Sequence, residues 1–132
     1  MVIFDSSVLV DQLRTDSHSQ RIDELDDLVR TSSVVLAELW RGATTRSEQS
    51  LLRSIERSYP IFTPTELNWL ESGQILSKIQ QDRGFGPVKL RDLHFDVLIS
   101  LTARTHGAKL ITSNRADFEL IRQYRAFKLE VW

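Results

Sequence analysis

The chain has 132 residues, enough for one domain with a substantial core, and 41% hydrophobic with 27% charged residues describes an ordinary globular protein. Its 17 basic and 18 acidic residues leave a net charge of −1, which excludes the overall positive field of a strong nonspecific nucleic-acid binder but not a local basic rim. With no cysteine there are no disulfides or thiolate metal sites, and His18, His94 and His106 lack any zinc-binding spacing.

Val2, Ile3 and Phe4 predict a short buried strand that stops at Asp5, and Ser6, Ser7, Val8, Leu9 and Val10 lead into a helix reaching Leu13. In a parallel α/β sheet, ligands sit at the carboxyl ends of the strands. Asp5 is placed for chemistry there, although Asp is equally a common helix N-cap. Residues 16–29, DSHSQRIDELDDLV, put Ile22, Leu25, Leu28 and Val29 at helical spacing, which predicts a short amphipathic helix with a solvated acidic face.

Arg30 to Ser33 predict a second short strand, and Thr31, Ser32 and Ser33 supply N-cap hydroxyls for the helix that follows. In that helix Glu38 stands among Val34, Val35, Leu36, Ala37, Leu39 and Trp40. An isolated buried carboxylate is too costly, so Glu38 needs a cation, a partner or a proton. Arg41 would be the ordinary partner; a metal ion is the sharper reading.

Gly42 closes that helix, and Ser47 is the expected N-cap of a helix to Arg57 carrying Leu51, Leu52 and Ile55. YPIFTP, 59–64, predicts a brief strand, and Thr65 and Glu66 open a long helix through Leu67, Leu70, Ile75, Leu76 and Ile79. The turn-rich stretch 82–89 carries Arg83 and Lys89, either on an ordinary connection or on a substrate rim.

The next helix is expected from about Arg91 to His106, stopped by Gly107, with Leu93, Val97, Leu98, Leu101 and Thr102 turned inward. Asp92 and Asp96 are four apart and share a face. Asp96 precedes the apolar Val97, Leu98 and Ile99 and should look inward, whereas Asp92 can cap the helix start. His94, out of phase with both, suits a surface or packing role. Residues 108–112 predict a buried strand, and the turn SNRADF then sets another acid, Asp117, beyond its carboxyl end, with Asn114 able to bridge the turn or hold a water. Phe118, Ile121 and Tyr124 fit a last helix and 127–132 an edge strand. No repeat or linker is visible, so one domain over 1–132 is expected. With no signal-like N-terminus and no apolar run of membrane-spanning length, a cytoplasmic protein without membrane contact is expected.

Asp5, Glu38, Asp96 and Asp117 each interrupt or end an apolar element. Gathered in one pocket, such carboxylates repel, and their pKa values rise unless cations join them. Without His or Cys in the set, hard oxygen-bound ions, Mg²⁺ or Mn²⁺, fit best. Their established use is to activate water for in-line attack on a phosphodiester.

FDSS, LAELWRG, FDVLISLTAR and TSNRADF, in this order, resemble the PIN-domain ribonucleases over nearly the whole chain, and most of all the VapC-like toxins of type II toxin–antitoxin pairs. The resemblance implies an α/β fold, a Rossmann-like α/β/α sandwich around a central parallel sheet of about five strands. It implies that Asp5, Glu38, Asp96 and Asp117 are catalytic and hold Mg²⁺ or Mn²⁺, with Asp117 a ligand or an outer base. Ser6 or Ser7 and Asn114 would be polar neighbours, with Asp92 as added support beside Asp96. Arg41, Lys89 and Arg115 are candidates for steering RNA phosphates, or are plainly solvated. A homodimer and a small antitoxin, whose C-terminal segment occludes the acidic pocket with an Arg or Lys, are implied as well. The chain departs from the family in Ser6 for the commoner Thr, in Phe95 where a polar residue often precedes the acid, and in Leu98 and Leu101 where small residues are common. The alternatives are a PIN-like binding module with little catalysis and a PIN nuclease of RNA maturation. A haloacid-dehalogenase-like phosphatase needs a second acid two residues after the first, where this chain has Ser7.

Overall fold

The computed structural model describes residues 1–132. Val2–Phe4 forms strand β1, Val29–Ser32 β2, Ile61–Phe62 β3, Lys109–Thr112 β4 and Lys128–Val131 β5. They make one five-stranded sheet in the order β3-β2-β1-β4-β5, with every neighbouring pair parallel. Seven helices complete the fold: α1 (Ser6–Thr15), α2 (Ser19–Asp23), α3 (Ser33–Gly42), α4 (Arg46–Ser58), α5 (Glu66–Arg83), α6 (Pro87–Thr105) and α7 (Arg115–Arg122).

Side chains alternate across a strand, so a central strand covered on both faces must be apolar at every position. β1 meets that condition. Ile3 joins the main core with Val35, Leu98, Leu110 and Phe118, while Val2 and Phe4 point to a second cluster with Val8 and Ile111. Helices therefore pack on both faces, which makes the expected three-layer α/β/α sandwich. Helix α6 is the main buried helix, with Leu93, Val97, Leu98, Ile99, Leu101 and Ala103 all within the core.

Several local expectations change. The helix expected over 16–29 is only the short α2, because Val29 opens β2 in register with Val2 and Leu28 lies 61% exposed. The Leu28 carbonyl accepts from the Val2 amide at 2.9 Å, so pairing with β1 overrides the helical spacing. Thr45, rather than Ser47, caps α4, its hydroxyl accepting from the Glu48 amide at 3.1 Å. The loop expected over 82–89 contracts to a turn at 84–86. Gly84, at φ 66°, ends α5 in the left-handed conformation, and Pro87 starts α6 four residues before the expected Arg91. Lys89 consequently stands in the first turn of a helix. His94 has the packing role expected of it, with Nε2 2.9 Å from Ser72 Oγ.

Candidate active site

The chain runs from β1 outward to β2 and β3, then returns to build β4 and β5 on the other side of β1. The sheet order reverses between β1 and β4, and in open parallel sheets the crevice at the carboxyl ends of such a pair is where ligands bind. Asp5 directly follows β1, and Thr112 ends β4 in that crevice.

Asp5 occupies the N-cap position of α1 but makes no side-chain cap bond. Its Oδ2 instead accepts from Ser7 Oγ at 2.7 Å and from Thr112 Oγ1 at 2.9 Å. Both hydroxyls are themselves oriented by the turn after β4, because the Ser113 amide donates to Ser7 Oγ and the Asn114 amide to Thr112 Oγ1. Each hydroxyl has one proton, and each gives it to the same carboxylate oxygen. Oδ1 has no partner, although Asp5 is only 3% exposed. A buried acceptor without a donor is unusual and marks a place where a ligand is to be sought.

Glu38 comes from α3 and accepts a long bond, 3.4 Å, from Ser6 Oγ. Burial and the charge of Asp5 push its pKa up to about 7 against the opposing effects of Arg41 and Ser6. Asp96 projects from α6, and burial, together with the charges of Asp5, Glu38 and Asp117, pushes it up to about 8. Burial also acts upward on Asp117, but hydrogen bonds from Lys89 and Asn114 outweigh it and hold that carboxyl below its ordinary value. The four acids thus share one electrostatic neighbourhood.

The other expected residues divide. Ser6, Ser7 and Asn114 lie in the group, whereas Asp92, one turn nearer the start of α6 than Asp96, is exposed and joins none of its bonds. Lys89 Nζ is bound to Asp117 Oδ1 at 2.9 Å. Arg41 is exposed, its guanidinium 5.8 Å from the Phe95 ring centroid, and Arg115 is exposed at the start of α7. Thr112 and Ser113 went unnoticed in the sequence. Ser113 Oγ donates to Asp11 Oδ2 at 3.0 Å, tying the β4–α7 turn to α1. The available signal was a hydroxyl residue at the carboxyl end of the strand beside β1.

The acids fit a hard divalent cation in three respects: an all-oxygen donor set, the partnerless Asp5 Oδ1, and two carboxyls, Glu38 and Asp96, whose ionisation is opposed by burial and by their acidic neighbours and would be favoured by a cation. Their side chains do not converge on a ready-made ligand set of three. A cavity of about 610 Å³ flanks them, reaching Ser6 and Glu38 and running past Val10, Leu39 and Arg41 toward α4. No helix is long and apolar enough to cross a membrane.

Among protein families, the PIN domain matches residues 2–123. Among solved structures, VapBC2 from Rickettsia felis, bound to a DNA fragment from their promoter, has a chain 24% identical with a TM-score of 0.75, covering 100% of this chain and 99% of that one. DNA-bound VapBC from Salmonella typhimurium gives 19% identity and a TM-score of 0.75, covering 99% and 97%. VapBC-1 from nontypeable Haemophilus influenzae gives 20% and 0.74, covering 100% and 98%. No curated protein matches the sequence.

Proposed function

This chain belongs to the PIN domain family, and from that premise we propose that it is a Mg²⁺- or Mn²⁺-dependent endoribonuclease, the toxin of a VapBC-like toxin–antitoxin pair. The observation that carries the proposal is Asp5 at the switch point of the sheet, buried, with Oδ2 doubly bonded and Oδ1 free beside Glu38 and Asp96.

Asp5, Glu38 and Asp96 would hold the ion, which supplies positive charge against the phosphate and acidifies a water. The chain's own residues do the rest. Ser7 and Thr112 fix the Asp5 carboxylate, so that Oδ1 keeps one direction. Asp117, held by Lys89 and Asn114, orients the attacking water. Arg41 and Arg115, both exposed, steer the RNA backbone. Attack in line with the departing 3′ oxygen leaves a 5′-phosphate.

The partner assigned is a small antitoxin, as the VapBC likenesses suggest. The flanking cavity, apolar at Val10, Leu39 and Leu52 with Arg14, Arg41 and Glu48 at its rim, suits a short amphipathic segment. A homodimer belongs to the same reading, and Leu67, Trp69 and Leu70 on α5, 61%, 50% and 60% exposed, offer it an apolar face.

Purified protein should cleave structured or single-stranded RNA with Mg²⁺ or Mn²⁺, stop in EDTA, and stop as Asp5→Asn or Asp96→Asn. Cleavage that survives EDTA and both substitutions removes the metal mechanism. One observation favours a binding module instead, namely that the carboxylates do not converge. RNA binding without cleavage and without metal uptake would select that reading.

A further inference from the structure

Asp117 differs from the other three acids in being fully engaged within the chain. Its Oδ1 accepts from Lys89 Nζ at 2.9 Å and its Oδ2 from Asn114 Nδ2 at 3.1 Å. Asp5 Oδ1, by contrast, is buried and unpartnered, Glu38 receives only the 3.4 Å contact from Ser6, and no side chain donates to the Asp96 carboxylate. Lys89 reaches Asp117 from the helix that bears Asp96. Positions 89 and 96 are seven apart, two helical turns, so both look to the same side of α6. The pair is partly shielded, with side-chain exposures of 42% for Lys89 and 24% for Asp117.

We propose that Lys89 is a built-in cation on the Asp117 side of the acidic group, so that this protein holds one divalent ion, at the unpartnered Asp5 Oδ1, and not two. The inference rests on the metal-site reading given above. Two-metal nucleases place their ions roughly 3.5–4 Å apart, with carboxylates shared around them. Here a second ion would have to displace an ammonium already bound to the remaining carboxylate, against like-charge repulsion in a half-buried setting. One ion needs no such displacement, since Mg²⁺ commonly retains several waters and takes only a few protein oxygens. Lys89 then belongs to the neutralisation of the acids and not to the grip on RNA.

The test is Mn²⁺ titration of the RNA-free protein by calorimetry, comparing the native chain with Lys89→Met, Lys89→Gln and Lys89→Arg. The native protein and Lys89→Arg should bind one ion. Both neutral variants should bind two, and adding Asp117→Asn to either should return the count to one. Two ions on the native protein, or one on both neutral variants, overturn the inference and leave the nuclease reading standing. The reverse separation also holds: the expected counts without any RNA cleavage would sink the nuclease reading alone. No ion on the native protein removes the metal site, and both readings with it.

Discussion

Thr112 Oγ1 donates to Asp5 Oδ2 over 2.9 Å, linking the ends of two adjacent strands across 107 positions of sequence. The same hydroxyl accepts from the Asn114 amide, and the shorter of its two possible donations, 2.9 Å to Asp5 Oδ2 against 3.2 Å to Ser7 Oγ, takes its single proton to the carboxylate. Thr112→Val keeps the shape and removes the donor. A hydrogen bond to a charged group contributes about 1.5–3 kcal/mol, and that loss should appear as a lower urea midpoint with an unchanged slope. Thr112→Ser should restore most of it. Equal midpoints for the native protein and the valine variant would refute the assigned role.

The acidic group makes the metal-free protein sensitive to alkali. Asp96 is raised from 3.8 to about 8 and Glu38 from 4.5 to about 7, so within those windows the folded protein keeps protons that the unfolded chain has released. Stability contributed this way falls as pH rises from about 4 to about 8. In EDTA, the melting temperature should therefore drop across that range. Asp96→Asn should flatten the slope and melt about 5 °C higher at the alkaline end. A melting temperature that climbs steadily to the alkaline end would contradict the assignment.

Divalent metal should reverse that trend, because it binds the ionised carboxylates that protons otherwise occupy. At about a hundredfold excess over Kd, a ligand that binds only the folded state stabilises it by about 2.7 kcal/mol. Thermal melts with and without Mn²⁺ should diverge increasingly with pH for the native protein and hardly at all for Asp5→Asn. Identical shifts in both would place the ion elsewhere.

Phe118 is completely buried and immediately follows Asp117, so the core anchors the first turn of α7 under the acidic group. Truncation of a buried Phe to Ala costs about 3–5 kcal/mol, whereas Phe118→Leu, closer in volume, should cost far less. Denaturant unfolding of the two variants checks the ordering. Similar losses in both would mean that ring packing at this position is unimportant.

Arg41 and Asp92 make a contrasting pair on the surface. Arg41→Ala should weaken RNA binding and lower the salt slope by about 0.7 if it contacts one phosphate of a single strand. Asp92, exposed and outside the acidic group's bonds, should tolerate Ala within about 0.5 kcal/mol of native stability and with cleavage unchanged. Filter binding at several salt concentrations, run beside the cleavage assay, decides both. An unaltered slope for Arg41→Ala would remove it from the RNA path.

Much of the fold was legible in local pattern. The apolar run of β1, the inward face of α6, the Thr65 cap of α5 and the order of strands and helices all follow from spacing and capping chemistry. Asp5, Glu38, Asp96 and Asp117 stood out because each breaks an apolar element. The span from Leu25 to Val29 misled, since a short apolar run suits helix and strand alike until a neighbouring strand claims it.

The sequence by itself determined which segments could be buried and where charge would interrupt them, because periodicity and side-chain chemistry are local properties. Only the tertiary structure decided that Thr112 and Ser7 share one oxygen of Asp5 and that Lys89 binds Asp117. Those relationships depend on strand register, helix rotation and the side from which a distant segment returns. They arise when the whole core packs at once, and no local stretch of sequence carries them.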